Sequence, residues 1–150
     1  MRKTVAVDAS FLNVFLDKRA HSSIQNGAAL IANLINDLDG ERAKVIIPTP
    51  ALAQVLTHHP RAGQAYVEHI RKCACFQIRP FDDKAAFELA QLLRENVTKN
   101  ILKFDRQIVA IAKVYGASVL YANDEEVVKF AAECGLQVVR FEDLYTNRTF

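Results

Sequence analysis

Three acids stand at places where a carboxylate does chemistry. Asp8 ends the apolar run Val5-Ala6-Val7, Asp105 opens the helix-patterned stretch from Arg106 to Tyr115, and Asp124 follows the apolar run Val119-Leu120-Tyr121. In a chain of alternating strands and helices such positions converge on one sheet edge, because parallel strands present their C-terminal ends to a common crevice. Carboxylates gathered there repel one another and attract a divalent cation, which is the make-up of a phosphodiester-cleaving centre. Each also has a structural reading, since aspartate is among the best helix N-caps and gains from the helix dipole. Asn123, with Glu126 three residues on, completes a capping box of its own and would leave Asp124 free to face the crevice.

The elements that must position these acids follow from the apolar pattern. Val5–Val7, Val45–Ile47, Phe76–Arg79, Ser118–Tyr121 and Leu136–Arg140 read as strands. Ile24, Ala28, Ile31, Ile35 and Leu38 recur at helical spacing up to Gly40, and Thr49 is placed to cap a helix with Pro50 at its first position. Pro60 restarts a helix to about Lys72. Asp82 caps another, with an expected stripe of Ala86, Leu89, Ala90, Leu93 and Val97, and Thr98–Asn100 form a loop. Gly116 and Gly135 close the next two helices. Short apolar strands separated by helices imply a parallel sheet of about five strands covered on both faces, a three-layer α/β/α fold in a single domain, residues 1–150.

Composition sets bounds on partners. The chain has 150 residues, 51% of them hydrophobic, and a formal net charge of +2, which is compatible with nucleic acid without demanding it. No run reaches the roughly 18 apolar residues of a membrane span. The basic start MRKTVAVDAS has an apolar run too short for a signal peptide, so a cytoplasmic protein is expected. Cys73, Cys75 and Cys134 are an odd set in apolar surroundings, read as buried thiols rather than a disulfide framework. His69, Cys73 and Cys75 match no common zinc spacing. No glycine-rich turn follows the first strand, where Asp8-Ala9-Ser10-Phe11 stands, which argues against dinucleotide-binding and phosphate-loop proteins. Arg79-Pro80 ends the third strand where a receiver domain would need an acid.

VDAS at 7–10, PTPALAQV at 48–55, KFDRQIVAIAKVYG at 103–116 and VLYAND at 119–124 together resemble a PIN domain, in order and spacing over essentially the whole chain. The resemblance implies a compact α/β/α nuclease, many of whose relatives are single-domain ribonucleases, including the toxins of toxin–antitoxin pairs. It implies Asp8, Asp105 and Asp124 as catalytic and metal-holding acids for Mg²⁺ or Mn²⁺, with Ser10 at the small polar position two places after the first acid. Gln54 occupies the place of the family's glutamate, and Ala122 stands where serine or threonine often precedes the last acid. Gln54 keeps an oxygen ligand and loses a full charge. A weakened enzyme, a degenerate binding member and a deliberately replaced glutamate all remain open, as does a solvated position on the helix.

The expected reaction is hydrolysis of RNA phosphodiesters by a metal-activated water. Ser10, Asn123, Lys99, Lys103 and Arg106 are candidates for substrate contact. The three cations cluster at the Asp105 helix start, where they would grip phosphate or simply be solvated. His58 and His59 read as helix-end cations, because nothing nearby completes a nucleophile–base pair. The resemblance further implies an antitoxin partner and a homodimer. The competing reading is a catalytically degenerate PIN-like module that binds RNA or a protein without cleaving.

Overall fold

The computed structural model describes residues 2–17, 19–20, 26–93 and 103–147. Along them run β1 (Thr4–Val7), α1 (Ala9–Leu16), α2 (Gly27–Gly40), β2 (Lys44–Pro48), α3 (Thr49–His58), α4 (Gly63–Lys72), β3 (Phe76–Arg79), α5 (Asp83–Leu92), α6 (Phe104–Val114), β4 (Val119–Tyr121), α7 (Glu125–Glu133), β5 (Gln137–Val139) and α8 (Phe141–Asn147). The five strands form one sheet in the order β3-β2-β1-β4-β5, and every pairing is parallel. No helix among the described residues is long and apolar enough to cross a membrane.

Period-two alternation along the strands builds a core on each face. Val5, Val7, Val45, Ile47, Val119 and Tyr121 pack with Phe11, Leu12, Ile31 and Ile35 of α1 and α2 on one side. Ala6, Ile46 and Leu120 point the other way, into Leu89, Ile108, Ile111 and Ala131 of α5, α6 and α7. Ile46 and Leu120 are essentially inaccessible to water, and each such side chain contributes roughly 1.5–3 kcal/mol of burial. From β1 the chain steps outward through β2 and β3, then returns to the far side of β1 as β4 and β5. The β1/β4 boundary is therefore the point where the winding reverses, and a crevice opens beyond the strand ends there.

Several expectations shift in detail. The α5 stripe is Ala85, Leu89 and Leu93, while Ala86 and Ala90 are exposed. The row at every fourth residue that carries both leucines buries more apolar surface than an alanine pair, so it takes the core. Thr49 is the first residue of α3, with Pro48 at its N-cap. Asp124 caps α7 through its own carboxylate, whereas the Asn123 side chain accepts from the Phe141 N–H at 3.1 Å, so the expected Asn123 cap is not formed. Helix α4 begins at Gly63 rather than Pro60, and α8 was not foreseen. Gly116 does close α6, at φ +86°, a conformation that strains any residue with a Cβ. Ile24, Val97 and the 98–100 loop lie outside the described residues. The three cysteines are free thiols, and burial pushes Cys75 up to about 11.

Asp82 ties two helices of one layer together. Its Oδ1 accepts from the Ala85 N–H at 2.9 Å, capping α5, and its Oδ2 accepts from the Tyr115 hydroxyl just after α6. That hydroxyl, with the cap bond, holds the carboxyl below its ordinary value. A depressed folded-state pKa stabilises above the unfolded pKa and ceases to as pH falls through the folded value. Asp82→Asn is therefore expected to lower the thermal midpoint at neutral pH, with the deficit shrinking in acid below the ordinary aspartate range. A deficit that stays constant with pH would contradict this link.

Candidate active site

Asp8 leaves β1 in an extended conformation, φ −91° and ψ −177°, and caps α1. Its side chain is wholly buried. Oδ1 accepts from the Ser10 hydroxyl at 2.5 Å and the Phe11 N–H at 3.0 Å. Oδ2 accepts from the backbone N–H groups of Asn123 at 3.1 Å and Asp124 at 3.2 Å. A carboxylate offers about four lone-pair sites, and all find donors here. Burial nevertheless raises the carboxyl above its ordinary value, the opposing hydrogen bonds being smaller effects. No cationic side chain among the described residues forms an ion pair with it. Ser10 closes the same junction by accepting from the Asn123 N–H at 3.0 Å.

These bonds carry the β4–α7 turn onto the end of β1 and bring Asp124 beside Asp8. Asp124 Oδ1 accepts from the N–H groups of Glu126 at 2.9 Å and Val127 at 3.3 Å, so capping occupies one oxygen. Across the crevice, α3 rises directly from β2 and presents Gln54. Asp8, Ser10, Gln54 and Asp124 line one cavity of about 310 Å³. Gln54 thus faces the cleft rather than bulk solvent.

Asp105 stands apart from this cavity. It is the second residue of α6 rather than the N-cap, which is Lys103 without a side-chain capping bond. With Arg106, Glu126, Lys129 and Glu133 it lines a neighbouring hollow of about 120 Å³ against α7. The sequence expected all three acids around one hollow; the structure brings two of them to one cavity. Among the described residues no three histidine, cysteine, aspartate or glutamate side chains gather closely enough to hold a metal ion. The set that does share a cavity, two carboxylates and an amide oxygen, consists of hard oxygen donors of the kind Mg²⁺ and Mn²⁺ take, and Mg²⁺ commonly uses only one or two protein carboxylates with water completing its shell. Asp124 and Gln54 fit such an ion as oxygen donors, and Asp8, whose lone-pair sites are already taken, fits it as a neighbouring negative charge.

Of the cations expected near the site, Lys103 is exposed and the Arg106 guanidinium lies 5.7 Å from the Phe130 ring centroid. Lys99 lies outside the described residues. The sequence reading missed Asn13 and took His58 and His59 only as helix-end cations, yet all three line the cavity. Helical spacing carried the signal: Asn13 follows Ser10 by three residues and His58 follows Gln54 by four, each pair on one helix face.

Among the solved structures that this chain is similar to, two match over nearly its full length. One is the crystal structure of VapBC2 from Rickettsia felis bound to a DNA fragment from its promoter, with TM-score 0.64 and 16% identity over 91% of this chain and 98% of that one. The other is the structure of DNA-bound VapBC from Salmonella typhimurium, with TM-score 0.63 and 15% identity over 94% and 99%. No family model and no curated protein matches the sequence. At these identities the likeness is one of fold, and the chain has the PIN-like α/β/α architecture that its sequence resembles.

The hydrogen bonds separate fold from chemistry at this site. Asp8→Ala leaves four buried or half-buried donors without their acceptor and is expected to cost roughly 1–3 kcal/mol in denaturant unfolding. Gln54→Ala, at a half-buried cavity wall, is expected to change stability by less than about 0.5 kcal/mol. Equal losses at both positions would contradict the division.

Proposed function

We propose that the chain is a PIN-type endoribonuclease of the toxin–antitoxin class, hydrolysing RNA phosphodiesters at the Asp8–Asp124–Gln54 cavity with Mg²⁺ or Mn²⁺ and restrained by an antitoxin protein. The observation that carries the reading is the meeting of Asp8 and Asp124 with Gln54 at the β1/β4 switch point. Its fold likeness to VapBC, a toxin–antitoxin complex, over more than nine-tenths of the chain supports the class. A bound divalent ion would lower the pKa of a water and offset the charge of the scissile phosphate.

The chain's own residues divide the remaining work. Asp8 supplies a buried negative charge that no side chain among the described residues neutralises, and Ser10 fixes its orientation. Asp124 supplies the second charge, held by the α7 cap. Gln54 orients through its amide oxygen and cannot take up a proton. Asp105 is the third acid of the family pattern. From its hollow beside α7, which Arg106 also lines, it would form a margin over which RNA runs, with the exposed Lys103 two residues before it and Ser10 and Asn123 as further contacts.

Restoring an acid at 54 tests the reading. A carboxylate about 4 Å from a divalent ion gains several kcal/mol at an effective dielectric near 20, before desolvation. Gln54→Glu is therefore expected to raise Mn²⁺-dependent cleavage of single-stranded RNA by about tenfold or more, and Asp124→Asn in that background to abolish the gain. If Gln54→Glu is inert on RNAs of varied sequence, the chain is instead a module that binds RNA or a protein without cleaving.

A further inference from the structure

His59 follows the last residue of α3 and reaches across to α1. Its Nε2 lies 2.8 Å from Asn13 Oδ1 and 3.8 Å from Asp17 Oδ2. Both neighbours are oxygens that only accept, so Nε2 carries the proton and donates. Tyr66 packs edge-on against the imidazole, with ring centroids 5.3 Å apart, and fixes its plane. The Asn13 amide thus presents its oxygen to His59 and turns its Nδ2 away from the imidazole. Its oxygen is spent on His59, and its Nδ2 has no acceptor among the described residues. Asn13 is half-buried and lines the cavity that holds Asp8 and Asp124, whose other lining includes the apolar Ala9, Val55 and Val127. An amide donor held in one orientation beside apolar side chains is how a pocket selects the position of a polar ligand atom.

Building on the reading of this cavity as an RNA site, we propose that Asn13 is a specificity-determining substrate contact whose amide N–H groups, aimed by His59, take an acceptor oxygen of single-stranded RNA. The donor chemistry is common to a phosphoryl oxygen and a base carbonyl, both of which unstacked RNA offers. His59 is a positioning residue: it acts through Asn13. Asp at position 13 would keep the oxygen that His59 needs while replacing the donors with an acceptor and a negative charge, and Ala would remove the donors without adding charge.

The test is fluorescence anisotropy of labelled oligouridylate and oligoadenylate with the full chain in calcium buffer, which reads binding whether or not the protein cleaves. Asn13→Asp is expected to keep the parent's thermal midpoint and lose RNA affinity. Asn13→Ala, which adds no charge, is expected to lose about threefold to tenfold, the range of one net hydrogen bond. His59→Leu should weaken binding as Asn13→Ala does, and His59→Gln, whose amide can still donate to Asn13, should restore it. A loss equal for both oligonucleotides assigns the phosphoryl oxygen; a loss confined to oligouridylate assigns the base carbonyl, which adenine lacks. Unchanged affinity in Asn13→Ala overturns the role of Asn13 while leaving the RNA site standing. A parent protein that binds neither oligonucleotide overturns both.

Discussion

A carboxylate withdrawn from water, with no cationic side chain paired to it among the described residues, survives only if donors surround it, and those around Asp8 come from two distant parts of the chain. Ser10 and Phe11 belong to the first turn of α1, while Asn123 and Asp124 belong to the turn after β4. One side chain thereby caps a helix, pins a turn more than a hundred residues away, and decides where Asp124 stands. Burial still raises its pKa against four opposing hydrogen bonds, so the charge at this junction is held at a cost. A group retained under that penalty at a strand-end crevice has the profile of a functional residue.

The remaining walls follow from connection lengths. β2 passes into α3 without an intervening loop, so Gln54 and His58 are set by the strand's direction and helical phase alone. α7 begins as soon as the Asp8 bonds release the β4 turn, which directs Asp124 and Val127 inward. The cavity is thus framed by three helix segments whose starts or ends are anchored to the central strands. That is the rigid support a cation or phosphate site needs.

The sheet was legible in the residues because its strands are short, apolar and bounded by acids, proline or glycine. Val5-Ala6-Val7 and Phe76–Arg79 were recognisable from pattern alone, and the pairing of large residues to one face and Ala6 to the other accounts for the layers. Asp82 as a cap was equally readable. The phase of α5 was not, since Ala85 and Ala86 both begin acceptable rows and only packing against α6 chooses. At the site, Asp8 and Asp124 were evident from their position after strands. Asp105 lines a neighbouring hollow, which its place at a helix start could not tell, since that fixes which edge a residue occupies but not which side of α7 it meets. Asn13 and His59 were invisible as a pair, since their hydrogen bond spans 46 residues and joins two helices.

The central claim is that Asp8 and Asp124, with Gln54 of α3 lining the same cavity, form a seat for a divalent cation. Anomalous scattering from crystals of the protein soaked in Mn²⁺ tests it most directly. The account predicts a manganese peak within the 310 Å³ cavity, at bonding distance from Asp124 and adjacent to Asp8 and Gln54. A soaked crystal with that cavity empty, or with its peak in the hollow of Asp105, Glu126 and Glu133, would contradict it.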